Sequence, residues 1–446
     1  MKYYSTNKTA PTATLEKAVV KGLAEDRGLY MPEDIKPLPK EFFDNIETMS
    51  FQEIAFTVAD AFFGDDVDTE SLRHIVYDTL QFDCPIVNVN NNIYTLELFH
   101  GPTLAFKDVG ARFMARLLQY FLKKGGDYVS SKANSGSKAG VNVLVATSGD
   151  TGSAVANGFL GVDGIHVYVL YPKGKVSPIQ ECQFTTLGKN ITAIEVDGVF
   201  DDCQTLVKSA FMDTELNNHM KLTSANSINV ARFLPQAFYY FNAYARMKAE
   251  MKKKGKELVI CVPSGNFGNV CAALFGHAMG LPVKRFIAAN NANDIFYKYL
   301  QTGKYEPKPS LQTLANAMDV GDPSNFARIY DLYKGDYHTI VSIISGATYN
   351  DNQIATTMKQ CYNETGYILD PHGACGYQAL MEQLKDDELG VFCETAHPAK
   401  FKEKVDAILN SDIEIPTRLQ EFMKGTKQSI SMSKDFRDFK SFLLNT

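Results

Sequence analysis

No stretch of the chain approaches the roughly 20 consecutive apolar residues that a membrane-spanning helix needs, so no membrane partner is expected. The opening run Met1-Lys2-Tyr3-Tyr4-Ser5-Thr6-Asn7 meets polar residues instead of an apolar core, which argues against a secretory signal. Paired cysteines are missing as well. The eight at 84, 182, 203, 261, 271, 361, 375 and 393 include no Cys-x-x-Cys. In a chain of this length they read as reduced core thiols of a cytoplasmic protein, not as disulfides or zinc ligands. The histidines offer no His-Glu-x-x-His spacing, so no metal site is expected. Charge of one sign is scarce too: 45 basic residues face 51 acidic ones, a formal net of −6, which gives no reason to expect a nucleic-acid partner. The densest basic cluster, Lys252-Lys253-Lys254, precedes Gly255 and reads as the cation-rich end of a helix.

What is present is an ordinary globular balance, 45% apolar and 22% charged, over 446 residues, enough for two or three domains. The first eighty or so residues read as helical. Ser50-Phe51-Gln52-Glu53 fits a capping box, and Phe51, Ile54, Ala55, Val58, Ala59 and Phe62 trace one apolar face. From about residue 86, β-rich runs alternate with amphipathic helices. Strands are predicted at 93–99, 141–146, 165–170, 191–196 and 258–262, with helices at 108–123, 151–160, 201–211 and 233–251. Such alternation predicts an α/β protein with parallel sheets. One Gly/Ser-rich polar stretch, 130–138, reads as a flexible loop, and the end of the chain from about Lys424 reads either as a last helix or as a loose tail.

Ligands of α/β sheets collect where strands hand over to helices, and three such junctions are unusual. In His100-Gly101-Pro102-Thr103-Leu104-Ala105-Phe106-Lys107-Asp108, Lys107 lies among apolar residues. It is either a side chain that snorkels to the surface or a partly desolvated amine at a helix start, which would be a nucleophile for a carbonyl. Thr147-Ser148-Gly149-Asp150-Thr151-Gly152 brings hydroxyls and N–H groups to a helix start, either a cap or an anion site. Pro263-Ser264-Gly265-Asn266-Phe267-Gly268-Asn269 has two glycines that let successive N–H groups face a phosphate, but it does not match the dinucleotide fingerprint. Together they offer an amine for a Schiff base and two anion cradles.

In that order, these segments resemble threonine synthases of the longer, bacterial and fungal type. The similarity continues at Tyr171-Pro172-Lys173-Gly174-Lys175, Ser224-Ala225-Asn226-Ser227-Ile228-Asn229, Asn316-Ala317-Met318-Asp319-Val320 and Thr395-Ala396-His397-Pro398-Ala399-Lys400-Phe401. It covers nearly the whole chain, from Gly22-Leu23-Ala24-Glu25-Asp26-Arg27-Gly28 onward, although the family usually has Gly where Arg27 stands.

The resemblance implies the fold type II pyridoxal phosphate architecture: two parallel-sheet-containing domains, at 86–225 and 226–446, plus an N-terminal helical domain at 1–85. It implies that Lys107 bonds the aldehyde of pyridoxal 5'-phosphate. Ser264, Gly265, Asn266, Phe267, Gly268 and Asn269 would hold the coenzyme phosphate, and Thr395 the pyridine nitrogen. Thr147, Ser148, Gly149, Asp150 and Thr151 would hold the substrate carboxylate, with Arg232, Lys173 and Lys175 as candidates for the substrate phosphate. The implied reaction turns O-phospho-L-homoserine and water into L-threonine and phosphate, in a monomer or homodimer. Two departures stand out: the polar stretch 130–138, and Asp370-Pro371-His372-Gly373-Ala374-Cys375, which follows the family's helix start only in part. Read without the resemblance, His100, His372 and His397 are packed or capping histidines.

Overall fold

The computed structural model describes residues 1–125 and 140–446; the polar stretch 130–138 falls outside them. The chain forms two compact units, each built from separated stretches. The first comprises Met1, Met31–Phe106 and Phe233–Glu414, and the second Lys2–Tyr30, Lys107–Arg232 and Ile415–Thr446. This division runs across the consecutive ranges 1–85, 86–225 and 226–446, and returns the first thirty residues and the tail to one body.

The first unit is organised on a sheet that, among the described residues, has six strands in the order Ile344–Thr348, Arg285–Asn290, Glu257–Pro263, Glu388–Glu394, Ile93–Glu97, Ile86–Asn90. Neighbours are parallel except for the last pair. Leu258, Val259, Ile260, Cys261 and Val262 are all buried, as a central parallel strand covered on both faces requires. The helix Phe51–Phe63 starts with the expected capping box, and the six residues of its apolar face are buried. The helix expected over 233–251 is broken. A short turn, Leu234–Gln236, carries Pro235, which cannot donate to a preceding carbonyl, and the long helix begins only at Ala237. It ends at Lys254 with Gly255 in the left-handed conformation (φ 63°), behind the lysine cluster.

The second unit has its own sheet, wholly parallel, in the order Ile430–Met432, Ile191–Val196, Ile165–Pro172, Val141–Ala146, Lys221–Ser224 among the described residues. The tail is not loose. Its strand extends the sheet, and its last helix, Phe436–Leu444, buries Phe439 and Leu443 in a core with Leu144, Leu170, Ile194, Cys203 and Leu206. At the other end of the chain, Asp26 gathers Ser5 Oγ, Thr9 Oγ1 and the N–H groups of Thr9, Ala10 and Gly28. Burial opposes its charge, yet these donors hold the carboxyl well below the usual carboxylate range. Among the described residues no helix is long and apolar enough to cross a membrane.

Candidate active site

In the first unit, strands Glu257–Pro263 and Glu388–Glu394 run side by side and in parallel, so the segments leaving them emerge at one sheet edge. From the first comes Ser264–Asn269. Ser264 is buried and donates its hydroxyl to Asn269 Oδ1 at 2.9 Å, while Asn269 Nδ2 donates to the Pro263 carbonyl at 2.8 Å. The loop thus closes on itself. Asn266 is held from outside by the Ser324 N–H on its side-chain oxygen (2.7 Å) and by Asn325 Nδ2 on its carbonyl (3.0 Å). Phe267 takes a left-handed conformation (φ 62°, ψ 13°) and turns the chain into the helix Gly268–Ala278, whose Val270 N–H is taken by Asn269 Oδ1 at 2.9 Å. The first N–H groups of that helix lie outside its own hydrogen-bond ladder and so suit an anion. A Cβ on Gly265 would stand 2.5 Å from the Ala317 carbonyl oxygen, so only glycine lets the loop lie this close to the turn Asn316–Met318. The helix begins at Gly268, and this places Gly268 and Asn269 in its first turn. An N–H cradle of this kind fits the phosphate of pyridoxal phosphate.

From the second strand comes Thr395, 6% exposed. Its carbonyl accepts the Phe106 N–H at 2.9 Å, and the next residue, Ala396, forms an antiparallel bridge with Ala105. Leu104, at φ 57°, bends the chain into this bridge, and its carbonyl accepts the His397 N–H at 3.0 Å. The lysine segment is therefore fastened to the Thr395 segment up to the residue before Lys107.

Lys107 opens the central stretch of the second unit and the helix Lys107–Lys124, and it is half-buried. Arg232, 3% exposed, donates Nη1 to the Lys107 carbonyl at 3.3 Å and Nε to the Ala225 carbonyl at 2.9 Å. Gly110 leaves room for this, since a Cβ there would lie 2.4 Å from Arg232 Nη1. Asn226 Nδ2 in turn donates to the Ala146 carbonyl at 3.3 Å. Next along the chain is Thr147, whose buried hydroxyl accepts the N–H groups of Gly149 (2.9 Å) and Gly152 (2.8 Å). Gly149, at φ 145°, packs against Gln180, whose Nε2 donates to Asp150 Oδ1 at 2.9 Å. Ser148 and Thr151 are half-buried, whereas Lys173 and Lys175 are exposed.

The structure thus gathers Ser264–Asn269 and Thr395 at one edge of the first unit, and Lys107, Thr147–Thr151 and Arg232 within the second. Sequence reasoning did not single out Gln180, or a group of buried ionisable residues behind Thr395: Glu394, Asp370 and Lys400. No local spacing marks them, because their partners are far away in the chain. His397 caps the turn Pro398–Phe401 by accepting the Ala399 N–H on Nδ1, so it is a capping histidine as expected. His372 is packed, 2% exposed, and uses both ring nitrogens.

Comparison with known proteins agrees with this arrangement along the entire chain. The profile of the family described as pyridoxal-phosphate dependent enzyme matches residues 80–391. Those of the threonine synthase N terminus and the threonine synthase C-terminal region match 2–80 and 373–443. The threonine synthase of Haemophilus influenzae is 41% identical over 446 residues, covering 100% of both chains. The crystal structure of threonine synthase from Escherichia coli superposes with a TM-score of 0.91 at 41% identity, again over 100% of both chains. A pyridoxal-phosphate-bound threonine synthase from Brucella melitensis gives 0.90 at 32% identity, over 100% of this chain and 99% of the other. By likeness that runs from end to end, the chain belongs to the threonine synthase family, pyridoxal-phosphate-dependent enzymes of threonine biosynthesis.

Proposed function

We propose that this enzyme acts on O-phospho-L-homoserine and water, releasing L-threonine and phosphate, with Lys107 as its catalytic residue. The observation that carries the reading is the bond from the Phe106 N–H to the Thr395 carbonyl, which ties the lysine segment to the residue proposed to face the pyridine nitrogen. Ser264, Gly265, Asn266, Phe267, Gly268 and Asn269 hold the coenzyme phosphate, chiefly through N–H groups at the start of the Gly268–Ala278 helix. Bound pyridoxal phosphate supplies an electron sink conjugated to the substrate's α-carbon. Thr395 offers the ring nitrogen a neutral hydroxyl rather than a carboxylate, which leaves the ring less positive than an acidic partner would.

Thr147, Ser148, Gly149, Asp150 and Thr151 bind the substrate carboxylate at the start of the helix Asp150–Phe159. Arg232 brings a buried positive charge to the Lys107 backbone, which favours a substrate carrying a phosphate. Released when substrate binds, Lys107 Nζ takes the proton from Cα. Phosphate leaves Cγ after a second proton leaves Cβ; Cγ then gains a proton, water adds its hydroxyl at Cβ, and Cα regains a proton to give L-threonine. A cytoplasmic setting accords with eight cysteines that are all free thiols.

The test is incubation of the purified holoenzyme with O-phospho-L-homoserine. Threonine and phosphate should appear in equal amounts; 2-oxobutyrate as the main product would make the enzyme a lyase instead. In parallel, borohydride reduction and peptide mass mapping should place the coenzyme on Lys107. Lys107→Ala should lose both that adduct and turnover, by at least about a thousandfold.

A further inference from the structure

The chemistry above leaves unused a set of buried groups at the edge from which Thr395 emerges: Asp370, His372 and Glu394, exposed by 0%, 2% and 0%. Asp370 caps the helix Pro371–Gln383, accepting the His372 N–H on Oδ1 at 2.5 Å. A cap needs no more than that. Here the same oxygen also accepts from His372 Nδ1 at 2.6 Å, while the far nitrogen, Nε2, accepts the Ala317 N–H at 3.1 Å. An Nε2 that accepts fixes the ring as neutral, with its proton on Nδ1. Ala317 is the middle of the turn against which Gly265 of the phosphate loop rests.

The second oxygen of Asp370 looks the other way. Oδ2 accepts the Ala396 N–H at 3.3 Å, and Ala396 forms the bridge with Ala105, two residues before Lys107. Glu394 closes the group from below, accepting the Asp370 N–H at 2.5 Å on Oε1. Its Oε2 sits where a Cβ on Gly373 would come within 1.6 Å, so this acid fits only because residue 373 is glycine. Burial and then the negative charge of Asp370 push the Glu394 carboxyl well above the usual range.

We infer that Asp370 and His372 form a positioning pair that fixes both ends of the coenzyme site together: the turn backing the phosphate loop through Ala317, and the lysine segment through Ala396. Neither residue touches the reacting atoms. The role rests on the coenzyme contacts proposed for Ser264–Asn269 and Thr395. It separates from simple helix capping because His372→Leu keeps the Asp370 cap, and Asp370→Asn keeps a cap of equal quality, while the first breaks the link to Ala317 and the second, by replacing Oδ2 with a donor, the link to Ala396.

The experiment measures the dissociation constant of pyridoxal phosphate by fluorescence, the absorbance band of the holoenzyme, and the melting temperature of the coenzyme-free protein. His372→Leu and Asp370→Asn should each weaken coenzyme binding by about tenfold, as loss of one buried hydrogen bond predicts. The coenzyme-free protein should melt near the wild-type temperature. His372→Gln, whose amide oxygen can accept the Ala317 N–H, should recover most of the affinity. Unchanged coenzyme affinity in His372→Leu and Asp370→Asn would overturn the inference. So would a loss of affinity matched by an equal loss of coenzyme-free stability, failure of the glutamine rescue, or failure of both variants to fold. Lys107→Ala serves as the control: if it still bonds the coenzyme covalently, the site reading has failed and not the positioning pair.

Discussion

His397 shows how a half-buried capping side chain can carry a pH dependence. Burial, and then the neighbouring His100, push its pKa from 6.5 down to about 4. Its geometry agrees, since Nδ1 accepts the Ala399 N–H and therefore carries no proton. A folded-state pKa below the unfolded value means that the contribution to stability is whole above pH 6.5 and is lost as pH falls through about 4. His397→Asn, which retains the cap but cannot take a proton, should flatten the dependence of melting temperature on pH across that window. Arg27 is a second case. It stands exposed at φ 69°, in the left-handed region that accounts for the glycine usual in the family. Arg27→Gly should leave activity alone and raise stability by about 0.5–1 kcal/mol, read from urea midpoints.

At the scale of the element, the sheets and their helices were legible because their pattern is local. Val141–Ala146 and Ile191–Val196 fall on the expected bounds, and the strand expected at 258–262 gains one residue at each end. The misses have a shared cause. The interruption at Leu234–Gln236 needed Pro235 to be weighed against a strong apolar period, and the start of the Gly268–Ala278 helix depends on Phe267 adopting a left-handed turn. Glu394 and Gln180 could not be picked out at all, and Asp370 only as part of an unusual helix start, because each is defined by partners brought together only by folding. The three strand-to-helix junctions were readable as places for chemistry; which atoms hold them in shape was not. Thr147 illustrates this, since one hydroxyl accepts two N–H groups of its own loop, those of Gly149 and Gly152. Thr147→Val should cost about 1–3 kcal/mol by leaving buried donors unpaired. It should raise KM for the substrate more than it lowers kcat, as steady-state kinetics would show.

For the whole molecule, the chain crosses between its two units after Met1, Tyr30, Phe106, Arg232 and Glu414. No composition shift marks these points, which is why consecutive domain ranges were the natural expectation. Two of the crossings carry site residues: Lys107 and Arg232 stand on either side of the central stretch of the second unit. The tail matters to that unit as a core component. Phe439 is fully buried, so Phe439→Ala should cost about 3–5 kcal/mol. Hydrogen exchange should quicken in Ile191–Val196 of the same unit, while Glu257–Pro263 of the other keeps its protection.

The return of residues 415–446 to the body that also holds residues 2–30 sets an order of events during synthesis. Every residue of the first unit leaves the ribosome before the strand Ile430–Met432 and the helix Phe436–Leu444 exist. Until then the half of the protein that contains Lys107 must wait with an open sheet edge and an uncovered core face, exposed to chaperones and to wrong partners. A stop codon late in the gene would therefore strand the half that holds Lys107, however complete the rest of it was.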